Sequence, residues 1–586
     1  MLAGCGRQAP PAPERLAFVR FENLSADASA DWMGRAFSEI IAAELPQVAI
    51  PASRLHGLNR TLGGHAATSP GISTERSAAL LAGANRIGYG DYEVRGGRVE
   101  VRLSIEDVAT GRDTRVLSAS GADVLTVAAD LARQISPRAT GYETRNSEAV
   151  RDYILAIEGG NPAAVTQNAS AAIAADPDYA PAYILLAGFR AQQHDRDGAL
   201  TTLDQALARG SAIPDIERAR LELDAATLRN DYAGRERALA ALAKANPGDS
   251  DSWRALGEAA YGRHDYPQAV EAFRSALRLA PDDPTTLNLF GYAQAYTGDL
   301  EGAANTFRRY RSLRPNDPNP IDSMGDVLLL GGRPREAAGL YIEADQKDRK
   351  LLGGGDLLKA AIARLLAGDA SGASEMARQY ADARAAVHDP GVPVFQEAWT
   401  WLAGNPKAAA AQLESFARAT EAGPQKEIAS HAYADLAVWS LLAGDRAAAA
   451  QLSLKAAALA SPASAGDAIM ARFLSQPSAG AAEWTARADQ LFRSAPPELK
   501  DLTLGRALLL DHQFAAAVPV LRRAYAGPTT DPSLPVLLAW AMIEAGQKAE
   551  AAPLLRFTPI PPYAGIDPFT GLAFARLNDL RARLAK

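Results

Sequence analysis

The sequence predicts a mainly helical protein, a long array of helical hairpins preceded by a small α/β domain. Three observations lead there. Between Trp253 and Ala344 the same residue types return with a period of 34 residues. Beyond that stretch, Gly-centred turns punctuate Ala-rich helical segments almost to the C-terminus. Ahead of the array, short apolar runs with strand-like alternation are interleaved with helical ones.

The period is carried by size and shape. Trp253, Leu256, Gly257, Ala269, Phe273, Ala276 and Pro281 stand in one line, and Leu287, Phe290, Gly291, Ala303, Phe307, Tyr310 and Pro315 in the next. Ile321, Met324, Gly325, Ala337, Tyr341 and Ala344 form the third. Gly257, Gly291 and Gly325 fall inside apolar helical patterns, where Gly is about 1 kcal/mol worse than Ala. Close approach of two helices explains such a placement. Phe273, Phe307 and Tyr341 are expected to fill the gap to the next repeat, and Pro281 and Pro315 end the second helix. One hairpin cannot bury its apolar face alone, so hairpins stack into a solenoid. Spacing and residue type resemble the tetratricopeptide repeat (TPR) family.

Composition bounds the remaining possibilities. The 586 residues leave room for a small domain and a long array. A hydrophobic content of 48% with 22% charged residues fits a folded chain rather than a disordered one. A net charge of −7 argues against nucleic acid as the main partner, because phosphate binding needs a basic face. No run of eighteen apolar residues is present to span a membrane.

At the N-terminus, residues 1–14 hold Leu2-Ala3-Gly4-Cys5, which resembles the lipobox of bacterial lipoproteins. The resemblance implies that Cys5, the only cysteine, becomes a lipidated N-terminus. Gly6 after the cysteine would by family habit direct the protein to the outer membrane, on the periplasmic side. No basic or apolar segment precedes Leu2, as expected if the given start lies inside a signal peptide. A soluble protein with a chance thiol is the alternative. Arg7–Pro13 reads as a stiff, extended tether.

Residues 15–137 read as an α/β domain. Leu16–Phe21 is a strand, with Asn23, Ser25 and Asp27 supplying turn and cap chemistry before a helix over Trp32–Leu45. Val48–Pro51 reads as a second short strand, His56–Ile72 as a Gly- and Ser-rich loop, and Thr74–Gly83 as a helix. Arg86–Val94 and Arg98–Val108 flank Gly96-Gly97 as a hairpin. Arg112–Ser120 adds a third strand and Val124–Ile135 a closing helix. Phe21-Glu22-Asn23-Leu24-Ser25, Asp31-Trp32, Gly88-Tyr89-Gly90, Arg98-Val99, and Asp107 with Thr110-Gly111 together resemble the N-terminal domain of the TolB-like family. The resemblance implies an open sheet with helices on one side and a role in protein contacts.

A polar linker over 138–147 leads to the regular array at 148–350 and to degenerate hairpins at 351–586. Breaks at Gly368-Asp369, Gly404-Asn405-Pro406, Gly444-Asp445 and Gly546-Gln547 bring the total to about twelve hairpins. The proline-rich stretch Phe557–Gly565 reads as a break. Pro568–Leu584 then reads as an amphipathic, polar capping helix.

No catalytic signature is present. The phosphate loop, the H-E-x-x-H zinc motif and the G-x-S-x-G elbow are all missing. Single-cysteine usage excludes cysteine-based metal clusters. His194 and His264 fall at hairpin turns, where turn residues are a simpler reading than metal ligands. No catalytic, cofactor or metal residue is assigned and no cofactor is expected.

The candidate site is the groove. In TPR proteins the first helix of each hairpin lines it, which implies Arg254, Glu258 and Tyr261, then Asn288, Tyr292 and Tyr296, then Asp322 and Asp326. Spacings of three or four put each set on one helix face. Aromatic area with polar direction suits an extended peptide or protein segment. Relatives that clamp a terminal carboxylate use Lys, Arg and Asn. Asp322 and Asp326 point instead to a segment bearing Lys or Arg. The plainer alternative is that the rings pack between helices and the charges are solvated surface. These features predict a non-enzymatic, membrane-anchored scaffold. A sensory subunit of an envelope signalling system is the second reading, and an enzyme of unrecognised type the third.

Overall fold

The computed structural model describes residues 14–61, 72–493, 497–526 and 531–585. Cys5 and the tether to Pro13 lie outside them. The chain forms two compact units, Met1–Leu256 with Arg278–Pro281, and Gly257–Leu277 with Asp282–Lys586.

The first unit opens with five strands, β1 (Leu16–Phe18), β2 (Glu22–Asn23), β3 (Arg86–Arg95), β4 (Arg98–Asp107) and β5 (Arg112–Gly121). Their order is β1-β3-β4-β5, with β2 also on β3. β1 and β2 run parallel to β3, and β3, β4 and β5 form an antiparallel meander. Gly96 and Gly97 both take positive φ, as a tight two-residue hairpin requires. Helices run over Trp32–Glu44, Ala52–Thr61, Ile72–Leu81 and Val124–Ile135.

Three details differ from the sequence reading. The expected strand at Val48–Pro51 is a single bridge between Leu16 and Ala49. Part of the expected loop at 56–72 is the helix Ala52–Thr61, and 62–71 lie outside the described residues. Helices also cover both sheet faces rather than one. Leu16 and Phe18 enter one apolar cluster, with Phe37, Ile41 and Leu131, while Ala17 and Val19 enter another, with Ile50, Ala79 and Ala82. Successive strand residues point to opposite faces, so β1 is buried on both.

The polar segment after this domain is packed. The Thr140 amide donates to the Glu44 carbonyl at 2.8 Å, and the Tyr142 amide to the Glu44 carboxylate at 3.1 Å. The first hairpin, Ser147–Ile157 and Pro162–Ala175, adds Val150 and Ile154 to the sheet's core. Glu158 lies 3.1 Å from Arg20 and 3.6 Å from Arg35, which answers its charge in a sheltered place. Sheet and first hairpin therefore share one core.

Among the described residues twelve helical hairpins follow one another from Ser147 to Leu555, and a single helix, Pro568–Leu584, comes last. A short residue rule generates eight of them. A small residue on the first helix is followed twelve residues later by an alanine on the second. That alanine is fully buried at 199, 269, 303, 337, 373, 449, 517 and 551. A ninth hairpin keeps the buried alanine, Ala409, but has Glu397 at the small position. Sixteen residues after the small residue comes the side chain that fills its space. A Cβ on Gly257, Gly291 or Gly325 would lie 2.6 Å from the ring of Phe273, Phe307 or Tyr341. The rings thus seat on the glycine of their own hairpin rather than in the gap to the next. Where the small residue is Ala361 or Ala437, its counterpart shrinks to Ala377 or Ser453.

The same rule explains the histidines. Seven residues after the small position the chain turns with positive φ, at His194, His264 and His512 as at Gly298, Gly332, Gly368, Gly444 and Gly546, and Gly404 turns alike seven residues after Glu397. This is the left-handed residue that ends a helix. The next residue often caps the second helix, as Asp195, Asp299, Asp369 and Asp445 do.

The C-terminus departs from the expected polar cap. Phe569, Leu572, Phe574, Leu577 and Leu580 are buried, and the helix packs on Val392–Leu402, Lys426–Leu442 and Leu534–Glu544. All three are first helices of their hairpins. The Arg506 guanidinium lies 4.2 Å above the Phe569 ring, and Arg576 lies 4.0 Å above Trp540. Arg583 pairs with Glu544 at 2.8 Å, so even the basic end is held.

Candidate binding groove

The groove positions fall on three first helices, Ser250–Gly262, Pro284–Thr297 and Asn319–Leu330. Arg254 is half-exposed, 3.6 Å from Asp251, and Glu258 is half-exposed on the same helix. Tyr261 meets Tyr266 and Tyr296 edge-on, at 5.4 and 6.2 Å, and Tyr296 stacks on Tyr266 at 4.5 Å. Burial raises the hydroxyl pKa of all three, so they remain neutral donors at physiological pH.

The remaining positions join into one buried polar group. The Tyr292 hydroxyl donates to Asp326 at 2.6 Å and lies 3.1 Å from Ser323, whose hydroxyl donates to Asn288 at 3.1 Å. The Tyr341 hydroxyl reaches the other Asp326 oxygen at 2.7 Å. Lys359, on the next first helix Gly355–Leu366, lies 2.5 Å from Asp322 and 2.7 Å from Asp326. Its ammonium also sits 4.7 Å above the Tyr341 ring. The cation that these two aspartates call for is thus supplied by the chain itself. Lys359 stands beyond the regular frame, because the small residue after Gly325 is Ala361, two residues late. Asp356 joins the group with no donor to either carboxylate oxygen. Burial, then the charge of Asp322, push its pKa up to about 8. Burial also raises Asp326, to about 6, against the pull of Lys359.

Over this wall runs the segment 556–566, where the sequence predicts only a break. Tyr296 packs edge-on to Phe557 at 6.0 Å, and Phe557 and Ile560 join the cluster of Leu287, Phe307 and Leu330. The Arg556 guanidinium lies against Gly298. A Cβ on Gly355 would come within 2.5 Å of the Tyr563 carbonyl, so only glycine lets the segment pass there. The Gly565 amide donates to the Tyr380 hydroxyl at 3.3 Å. On an earlier second helix, Phe514–Ala526, Tyr525 stacks on His264 at 4.2 Å.

Beside the end of the segment lies a cavity of about 300 Å³, lined by Tyr380, Arg384, Phe395, His431 and Asp567 among others. The His431 ring nitrogen Nδ1 lies 2.8 Å from Asp467, and Nε2 lies 3.9 Å from Asp435. The charge of Asp435, then the Asp467 hydrogen bond, push the His431 pKa up to about 9. Burial lifts Asp435 to about 7. Among the described residues no group of three His, Cys, Asp or Glu side chains is placed to hold a metal ion. No described helix is long and apolar enough to cross a membrane.

The tetratricopeptide repeat family matches residues 215–284 and 254–318. No curated protein matches the chain. Among solved structures, YrrB, described as a TPR protein with an unusual peptide-binding site, is 17% identical over 32% of this chain and 94% of its own, with a TM-score of 0.28. A tetratricopeptide repeat protein from Parabacteroides merdae is 13% identical over 40% of this chain and 91% of its own, with a TM-score of 0.30. A thermophilic TPR protein from Thermus thermophilus is 19% identical over 32% and 99%, with a TM-score of 0.24. The hairpins between residues 215 and 318, which hold the first groove positions, are tetratricopeptide repeats.

Proposed function

We propose that this chain is a non-enzymatic protein-interaction scaffold that receives an extended protein segment along its first helices. One observation carries the reading: a non-helical, proline-rich stretch of polypeptide already lies along Tyr296, Gly298 and Gly355, against an aromatic wall backed by an ion-paired polar group. Extended chains bind such walls through ring contacts and shape, with few backbone bonds needed. The matched repeats support a role in protein binding. Because Lys359 satisfies Asp322 and Asp326, those aspartates do not select for a basic side chain in the partner. A photoreactive residue at position 258 should crosslink a partner, and one at position 301, exposed on a second helix, should not. Equal crosslinking from both would sink the reading.

The same proposal places the protein in the bacterial envelope, held by a lipid on Cys5, with the α/β domain docking a second protein. The lipobox resemblance and the TolB-like motifs support this. Expressed with its upstream sequence, the protein should partition with membranes, and Cys5→Ser should release it. Membrane partitioning of both forms alike would contradict the anchor. A sensory role is the second reading, favoured by a groove that already holds its own chain and so has two states to offer.

A further inference from the structure

We propose that residues 556–566 form a tethered occupant of the groove, a strap that a partner segment of like chemistry displaces. The partner would be an extended peptide carrying an aromatic residue followed by prolines, as in Phe557-Thr558-Pro559-Ile560-Pro561-Pro562-Tyr563. This rests on the binding role proposed above and names both the partner chemistry and the regulation of that site.

The strap is built to lift. Among residues 557–566 one backbone amide, that of Gly565, donates a hydrogen bond. Pro559, Pro561 and Pro562 have no amide hydrogen to give, so leaving the wall strands no donors there. The proline spacing also favours an extended form that loses little entropy on docking. The Tyr563 side chain is mostly exposed although its backbone passes over Gly355. Both ends, by contrast, are fixed, and near the first of them the Arg581 guanidinium of the last helix donates to the Thr558 hydroxyl at 3.1 Å, a bond that lifting the strap must break. Leu555 is buried among Leu534, Leu538 and Ala551, and Ile566 beside Phe574 in a second cluster. The strap can therefore swing out as a loop of fixed ends while the fold stays intact.

The geometry also sets a condition on the partner. A tethered segment competes at a high effective concentration, in the millimolar range for short tethers. A free peptide of the same sequence must bind weakly to the intact chain, and any change that unseats the strap must strengthen its binding.

The test uses the full chain with Cys5→Ser and a reporter thiol at Ile560→Cys, the reagent being a thiol-reactive dye. The probe is a synthetic peptide of residues 555–566. Native labelling at 560 should be nearly independent of mild urea and should quicken at least threefold at saturating peptide. Leu577→Cys, in the buried last helix, should label only through global unfolding, with a steep urea dependence. Thr558→Cys serves as a second strap reporter if Ile560→Cys fails to fold. Labelling at 558 or 560 that shares the urea dependence of 577, or that ignores the peptide, overturns the strap. If partner crosslinking from position 258 survives that result, the binding role stands and only the strap falls; if it is lost as well, the binding role falls with it.

Discussion

Two stretches of the C-terminus lie along first helices of the array, in opposite styles. Residues 556–566 are non-helical, proline-rich and mostly part-exposed, held by ring contacts, by the passage over Gly355 and by the Arg581 guanidinium, which donates to the Thr558 hydroxyl at 3.1 Å. Residues 568–584 are helical and bury five large apolar side chains. The difference separates an occupant from a core element. Buried apolar area stabilises at roughly 25 cal/mol per Å², so the helix is bound up with the fold and the strap is not.

That contrast can be broken in several places, in order of expected effect. The wall beneath the strap comes first. Lys359→Met leaves Asp322, Asp326 and Asp356 buried without a cation, and loss of one partner from a buried ion pair removes about 4 kcal/mol. Urea denaturation should show it, and a midpoint unchanged from wild type would contradict the wall's electrostatics.

A pH effect comes next. Asp356, Asp326 and Asp435 have folded pKa values raised to about 8, 6 and 7, above those of an unfolded chain. His431 is raised to about 9. In every case the folded state holds protons that the unfolded state releases. Stability should therefore fall as pH climbs from 5.5 to 8.5. Asp356→Asn should flatten that slope, and a slope of the opposite sign would refute the assignment.

Third, Leu577→Ala in the last helix should lower stability by about 3 kcal/mol. The smallest effect belongs to the strap, where Phe557→Ala should change stability by about 1 kcal/mol or less while strengthening peptide binding. If Phe557→Ala proved as damaging as Leu577→Ala, strap and helix would be one core and the contrast would vanish.

Much of this architecture was legible because it is local. The small residue, the left-handed turn, the cap, the buried alanine and the filling side chain recur at fixed offsets. Each answers a constraint within a single hairpin. His194 and His264 stand at turns for that reason, where glycine usually does, but only His194 is the solvated turn residue that the sequence suggests, since His264 stacks on Tyr525. The groove was legible in part. Tyr261, Tyr292, Tyr296, Asp322 and Asp326 do lie together, yet Lys359 was hidden by a two-residue slip of the frame. The strap carried no local signal at all. Its contacts reach from Phe557 to Tyr296 and from Tyr563 to Gly355, and no period or propensity reports a pairing so distant. The last helix misled because Arg583 and Lys586 suggest a polar end, whereas Phe569, Leu572, Phe574 and Leu577 are the residues that decide its place.

The central claim is that the wall around Tyr296 receives an extended, aromatic and proline-bearing segment. A peptide of residues 555–566 with a photoreactive group in place of Phe557 tests it most directly, by mapping the crosslink on the full chain carrying Phe557→Ala. The account predicts crosslinks within Pro284–Thr297 that excess unlabelled peptide abolishes. Crosslinks confined to second helices such as Leu300–Leu313, or none that the unlabelled peptide competes away, would contradict it.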